Sequence, residues 1–536
     1  MPETLESRWN AEDAARRAIL DRVRTYARLV DASILPRDNH APDDELSQRF
    51  QSICAYGIMN LVSSLLLTTY PPEVPFVRMD LAAKYRHDPN VPADRKQAVM
   101  DRLNAYELIF HAAVDAGVPG DERTRGMSFH TGKRRVLKHL LTTGECLHRI
   151  RDDLRIVTHR RDRYVTRRDD DGSVLFHIIR QPVDPLLLRI DGVDHETILS
   201  RAGLRRSELE GRNDLDRVFS LYTGVEWQPD SRQWLITQEI NQKIIQESQE
   251  PVSPYICPTY ELVDGEHYGR GFMELVVGGD ARSCDALTGH GLDFAAACSR
   301  IQPVVGIGSE LTPNDLMLPN GRVLVGGNVQ GGRVMDVAYL AVEKLNDFSV
   351  CDAMLTRVER RLSQAMLIES AVQPQQDRVT RAQINRIAKE LEGAMGGIHA
   401  SVSCEDMEPT VRRVRHVLER RRILPTLPPD AAEHRILTGL SALSRGLKIA
   451  NLSEFVQTAA TLSPSALDWL RQDTVLRTLA RYFVIDEPGL VKTPQEREAE
   501  VRDQLQAQLA AAAAGKTIDV AGNIVESAAT APATAG

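Results

Sequence analysis

Gly515-Lys516-Thr517 is the first place to look for chemistry, because a Gly-Lys-Thr triplet closes the loop that cradles nucleotide phosphates. That loop needs a second glycine five residues earlier, where this chain has Ala510, and no strand-like run leads into it. The triplet reads as a chance match. Gly306-Ile307-Gly308 lacks the third glycine and the following helix of a dinucleotide site. Asp169-Asp170-Asp171 has the charge to hold Mg²⁺, but it sits between two strand-like runs beside Gly172-Ser173 and reads as a solvated hairpin tip. The fourteen histidines show no ligand spacing and no H-E-x-x-H. Ser, His and Asp are too widespread to single out a triad. The seven cysteines (Cys54, Cys146, Cys257, Cys284, Cys298, Cys351, Cys404) form no C-x-x-C pair and read as reduced, mostly buried residues. The expectation is no catalytic, cofactor or metal site.

The elements are easier to read than any site. A charged helical stretch over Glu3–Leu35 has apolar positions at Ile19, Val23, Tyr26 and Val30. A second helix is predicted from Glu45 to Thr69, ended by Tyr70-Pro71-Pro72, and two more over Ala93–Ala116 and Ser128–Thr143. The period then drops from about 3.6 to 2. Glu145–His159, Tyr164–Arg168 and Val174–Gln181 alternate, and a hairpin joins Val218–Trp227 to Gln233–Ile240. A glycine-punctuated helix follows over Tyr268–Arg300, then a Gly/Pro-rich, strand-bearing excursion over Ile301–Val337. Helix returns over Val342–Ile368. A polar loop leads to an amphipathic helix marked by Ile384, Ile387, Leu391, Met395 and Ile398, with kinks expected at Gly396-Gly397 and Pro409. Short helices are predicted over Ala431–Tyr482, before an Ala-rich low-complexity tail. The fold class is α+β, mainly α.

Composition excludes little. The chain has 536 residues, is 42% hydrophobic and 26% charged, and carries a formal charge of −8 from 66 basic and 74 acidic residues. Length suits roughly three to four domain-sized units. The acidic balance disfavours a tight nucleic-acid clamp, which neutralises phosphates with Lys and Arg. The N-terminal ten residues have no signal-peptide pattern, so synthesis in the cytosol is expected. Ile53–Tyr70, the most apolar stretch, is broken by Asn60, Ser63, Ser64, Thr68 and Thr69 and is too polar to cross a bilayer.

Four stretches share one resemblance. Met59-Asn60-Leu61-Val62-Ser63-Ser64-Leu65-Leu66-Leu67 with Tyr70-Pro71, then Leu137-Lys138-His139-Leu140 with Thr143-Gly144-Glu145, form the first half. Pro254-Tyr255-Ile256 with Asp264-Gly265-Glu266-His267-Tyr268-Gly269-Arg270, then Arg378-Val379-Thr380 with Glu390-Leu391-Glu392 and Gly396-Gly397, form the second. In this order they resemble the head-to-tail connector (portal) proteins of podoviruses, the short-tailed double-stranded DNA phages. The resemblance spans roughly residues 50–440; 301–337, the first 45 residues and the last 90 match poorly.

The resemblance implies a ring of about a dozen subunits at one capsid vertex, a channel for packaging, retaining and ejecting double-stranded DNA. It implies a portal fold: a wing over 1–262, first stem helix over 263–300, clip over 301–341 and second stem helix over 342–368. A tunnel loop follows over 369–378, then a long kinked wing/crown helix over 379–424, a helical crown over 425–503 and a tail over 504–536. About a dozen helices, each about 10 Å wide, close a circle with a bore of roughly 28 Å, wide enough for a duplex about 20 Å across. Gln373, Gln375, Gln376 and Arg378 would face DNA, the glutamines bonding phosphates without fixed charge. Arg412, Arg413, Arg415, Arg420, Arg421 and Arg422 would face DNA or, preferably, bridge subunits; Tyr268, Gly269 and Arg270 would mark the stem entrance. Implied partners are the chain's own copies, major capsid and scaffolding proteins, the terminase large subunit, tail adaptor and internal core proteins, with no membrane. Assembly in the host cytoplasm would end in the virion. The rival readings are another virion structural protein, such as a tail adaptor or internal core protein, and, further off, an unrecognised enzyme.

Overall fold

The computed structural model describes residues 4–368 and 398–436 apart from short interruptions, the longest being 119–127 and 315–327, and beyond these only scattered residues such as 454–459. The chain divides into two compact units, Met1–Leu440 and Ser441–Gly536.

The first unit opens with helices α1 (Leu5–Ala15), α2 (Arg17–Val30) and α3 (Ile53–Thr69), which precede strand β1 (Val77–Leu81) and helices α4 (Ala83–Arg86), α5 (Ala93–Ala116) and α6 (Phe129–Thr143). Strands β2 (His148–Ile150), β3 (Ile156–Thr158), β4 (Tyr164–Arg168) and β5 (Val174–Val183) follow, then α7 (His195–Ala202) and α8 (Arg206–Glu210). Next come β6 (Phe219–Gln228), β7 (Gln233–Ile240), β8 (Lys243–Glu250) and β9 (Tyr255–Ile256), then α9 (Phe272–Leu275) and α10 (Gly278–Ser299). Short strands β10 (Pro303–Val305), β11 (Val329–Gln330), β12 (Arg333–Val334) and β13 (Val337–Tyr339) lead to α11 (Leu345–Ala365). After Ile398 run α12 (Ile398–Val402), one π-helical turn over Ser403–Met407, α13 (Glu408–Arg420) and β14 (Ala432–Ile436).

Several boundaries differ from the sequence reading, each for a local reason. The single helix expected over Glu3–Leu35 is two, because the chain breaks at Arg16. That side chain is buried, its guanidinium 5.3 Å from the Trp9 ring centroid and donating to Asp162 O at 3.2 Å. Helix α3 begins at Ile53 rather than Glu45. Gln51 intervenes as a side-chain cap, its Oε1 accepting from Cys54 N at 3.0 Å and its Nε2 donating to Leu29 O at 2.9 Å. Of the stretches read from alternation, Glu145–His159 supplies β2 and β3 of a three-stranded sheet, β3-β2-β9, and the others fall in an antiparallel five-stranded meander, β4-β5-β6-β7-β8. Its last strand is absent from the sequence reading. Asn241 and Gln242, with φ of 54° and 60°, make the tight turn between β7 and β8, and β8 itself is polar. The sequence predicts helix from Ala431 onward, but Ala432–Ile436 is a strand paired antiparallel with Val77–Leu81.

Helices α10 and α11 lie antiparallel. Arg361 pairs with Asp280 at 2.7 Å near one end, and Phe294 stacks on Phe348 with centroids 4.8 Å apart near the other. Between these ties lies about 20 Å of helix at 1.5 Å per residue. The segment joining them carries the pairs β10–β13 and β11–β12. At the end facing the main core, Cys284, Leu362 and Met366 are buried. Toward the excursion, Leu292, Val350 and Met354 stand 55%, 60% and 51% exposed.

The core thus grips one end of the helix pair. Leu362→Ala is expected to lower stability by about 2–5 kcal/mol, because a closed site cannot collapse around the lost methyls. Arg361→Ala, which breaks only an exposed pair, should leave it nearly unchanged. Urea unfolding of the two variants checks this.

Candidate functional site

Two of the resembling stretches meet in space. Gly144 ends α6 with φ +90°, and a Cβ there would lie 2.4 Å from Gly269 O, so the close backbone approach demands glycine. Gly269 N donates to Glu145 Oε2 at 3.2 Å, and Arg161 Nη1 donates to Gly269 O at 3.2 Å and also to Thr143 O. Tyr268 is buried; its hydroxyl accepts from Thr166 N at 3.4 Å, and the Arg161 guanidinium lies 5.5 Å from its ring centroid. Arg270 instead turns outward onto Glu266, with a second carboxylate, Glu274, at 3.7 Å. This junction launches the chain into α9 and α10, and its glycines stand out in the sequence only as parts of separate stretches.

A second cluster carries no signal in the sequence. Lys133 of α6 and Asp406 of the π-helical turn are both fully buried, with Nζ 2.6 Å from Oδ1. Lys133 also donates to Thr410 Oγ1 at 2.7 Å and to His148 Nε2 at 3.2 Å, and Tyr70 OH donates to Asp406 Oδ2 at 2.7 Å. Burial alone would raise the Asp406 carboxyl, but the Lys133 charge and the hydrogen bonds from Lys133 and Tyr70 hold it below its usual value. Burial, with Lys133 adding repulsion, pushes His148 down to about 3, so its imidazole is neutral. Since Nε2 accepts from Lys133, the proton sits on Nδ1 and points to Cys146 O at 3.4 Å. The neighbouring Glu405 serves another element, accepting from Thr259 N and Oγ1 at 2.6 Å each. One π-helical turn therefore sends consecutive carboxylates to two parts of the body.

A third tie closes α11. Leu367, at φ +54°, and Ile368 reverse the chain, with Ile368 N donating to Ser363 O at 2.9 Å and Leu367 N to Gln364 O at 3.2 Å. Asn60 Nδ2 then donates to Met366 O at 3.1 Å and Leu367 O at 3.0 Å. In the sequence, Asn60 stands out only as a polar interruption of an apolar run.

Arg412, Arg413, Arg415 and Arg420 of the basic cluster pair with carboxylates of their own chain. Arg413 is buried and pairs with Asp152 at 2.9 Å and Glu250 at 3.1 Å; Arg420 binds the same two carboxylates. Arg412 pairs with Glu408 and Arg415 with Glu419, each one helical turn away. Arg421 and Arg422 are exposed at the end of α13, Arg422 at φ +56°. Gln373, Gln375, Gln376 and Arg378 lie outside the described residues. Among the described residues no group of His, Cys, Asp and Glu is placed to hold a metal ion, and no helix is long and apolar enough to cross a membrane.

Removing one partner of the buried pair should be severe. Asp406→Asn is expected to lose about 3–5 kcal/mol, and Lys133→Met combined with Asp406→Leu to recover most of it, in urea unfolding. Acid should also weaken the fold. Burial holds His148 and His177 at about 3 and His159 at about 4, against an ordinary 6.5. Below pH 6.5 the unfolded chain takes up protons that these folded sites refuse. Stability should fall by up to about 1.4 kcal/mol per pH unit for each, down to their folded values, read as a falling urea midpoint between pH 7 and 5.

The family described as "Bacteriophage head to tail connecting protein" matches residues 2–491. The portal protein of Escherichia phage T7 is 26% identical over 496 residues, covering 90% of this chain and 87% of its own. That of Enterobacteria phage T3 is 27% identical over 498 residues, with the same coverage. Among solved structures, a chain from the neck of an empty gene transfer agent particle covers 80% of this chain and 89% of its own, at 9% identity and a TM-score of 0.34.

Proposed function

This chain belongs to the family of bacteriophage head-to-tail connecting proteins, and we propose that its copies close into the portal ring at one capsid vertex, through which double-stranded DNA is packaged, retained and ejected. The observation that carries this reading is the antiparallel pair α10–α11, anchored at one end in the core and joined at the other by a small strand-bearing segment. In this reading the pair is the stem and the segment 301–341 the clip, where a terminase large subunit and later tail proteins dock. The helical and β elements before residue 262 form the wing, with part of the chain after Arg378, facing major capsid and scaffolding proteins; internal core proteins meet the capsid-side face. The stretch 369–378, with Gln373, Gln375, Gln376 and Arg378, is the tunnel loop, and residues beyond 425 the crown.

The exposed apolar side chains support assembly. Leu292, Val350 and Met354 project from a helix pair that lies largely outside the core, and a neighbouring copy would cover them. Charge supports sliding. A net −8 per copy, repeated around a ring, leaves no excess of cations to hold the duplex by counterion release. Arg413, buried against Asp152 and Glu250, is likewise not free to grip phosphate. The protein's work is structural, with packaging force supplied by a separate ATPase.

Purified protein is expected to give rings with a central hole in negative-stain images and ring-sized masses in mass photometry; a compact monomer at high concentration would end the proposal. Val350→Asp, at an exposed position, should leave the circular dichroism spectrum unchanged while shifting the mass distribution to monomer.

A further inference from the structure

Glu145, Arg161 and Tyr164 are almost wholly inaccessible in a single chain, at 1%, 1% and 0% exposure. Their bonding is incomplete. Glu145 Oε2 accepts from Gly269 N, and Arg161 Nη1 donates to two carbonyls. Glu145 Oε1, Arg161 Nε, Arg161 Nη2 and the Tyr164 hydroxyl have no hydrogen-bond partner among the described residues. Arg161 Nε and Glu145 Oε1 face each other at 3.9 Å, an ion pair too long for a direct hydrogen bond. Orphaned groups of this kind, inside a protein, each carry a desolvation penalty unless something fills the bond.

We infer that the Glu145–Arg161 junction is a binding site for a permanently held water molecule, which accepts from Arg161 Nε or Nη2 and donates to Glu145 Oε1. Two to four polar partners are what a buried water needs, and a polar contact beyond about 3.5 Å is where one is expected to bridge. In this proposal the water has a third partner in the Tyr164 hydroxyl, which is itself buried and without a hydrogen bond among the described residues. Its phenol is raised above its ordinary value first by burial and next by Glu145, with Arg161 acting in the opposite sense, which puts it within the field of both groups. The lining also selects the ligand. An anion would face Glu145 and a cation would face Arg161, so a neutral dipole with donors and acceptors alone satisfies both. A neighbouring subunit cannot supply the missing bonds, because the orphaned atoms are sealed within one chain.

The bound water would bridge the two stretches, Thr143-Gly144-Glu145 and Tyr268-Gly269-Arg270, that set the chain's entry into α9 and α10.

A reconstruction of the assembled full-length protein, at a resolution that shows ordered water, should contain a density peak about 2.7–3.2 Å from both Glu145 Oε1 and an Arg161 nitrogen. Direct closure of the two side chains, or an empty gap, would overturn the inference, as would a peak with the short, multiple contacts of a metal ion. Tyr164→Phe supplies a second readout. If the hydroxyl bonds the water, its removal should lower the melting temperature by about 1 °C. If the hydroxyl has no partner, removing it relieves a desolvation penalty, and a melting temperature unchanged or raised would count against the site.

Discussion

The buried contact between Lys133 and Asp406 is where two distant parts of the chain become one body. Taking an ammonium and a carboxylate out of water costs several kcal/mol for each ion, and the pair survives because each ammonium proton and each carboxylate oxygen has a partner. Lys133 has Asp406, Thr410 and neutral His148 around it, and Asp406 also receives the Tyr70 hydroxyl. His148 Nε2 lies 3.4 Å from Asp406 Oδ1, a contact of two acceptors that is tolerable because the ammonium bridges them. Aromatic rings complete the enclosure, the Tyr70 centroid 5.0 Å and the Phe129 centroid 5.9 Å from Nζ. Apolar side chains of similar volume would pack here too. The ion pair adds directional hydrogen bonds that fix the register of Lys133 against Asp406 and Thr410.

That register matters because of what hangs from it. Asp406 belongs to a π-helical turn, and its neighbour Glu405 is tied to Thr259, itself bridged to Glu145 at the junction that starts α9 and α10. Asn60 of α3 meanwhile clamps the end of α11. The two long antiparallel helices are therefore held at their base by side chains from separate elements, while their far portions carry the exposed apolar residues. Rigidity at the base and apolar exposure beyond it suit a subunit that must present the same face to each neighbour.

Periodicity made much of the fold legible. The alternation of β4 to β7 and the lengths of α5 and α6 could be read directly, because each buries one face against a continuous core. The limits of α3 could not, because Gln51 acts through a cap and a contact 22 residues back. β8 hid behind a polar sequence, and β14 behind a partner that cannot be seen locally. The junction glycines were visible as family-like stretches, but only the fold shows Gly144 pressed on Gly269. Lys133 and Asp406 gave no signal at all. A lysine on an otherwise mixed helix face reads as solvated, and nothing short of the tertiary structure pairs it with a residue 273 positions away. Arg413 departs from its cluster: clustered charge suggested an outward face, and Arg412, Arg420, Arg421 and Arg422 are exposed, yet Arg413 points into the body between Asp152 and Glu250.

The separation of Lys133 from its partner also shapes how the chain comes to be. Closing a loop of 273 residues carries an entropic penalty of about 5 kcal/mol before any contact offsets it. On the ribosome, at about 5–20 residues per second, the lysine waits roughly a quarter of a minute to a minute for Asp406 to emerge. Strand β1 waits longer still for β14. During that interval the lysine stays hydrated and the edge of β1 unpaired, so the nascent N-terminal body is an incomplete surface. Completion of the body thus waits until β14 has emerged, a built-in delay on any association that requires the finished surface.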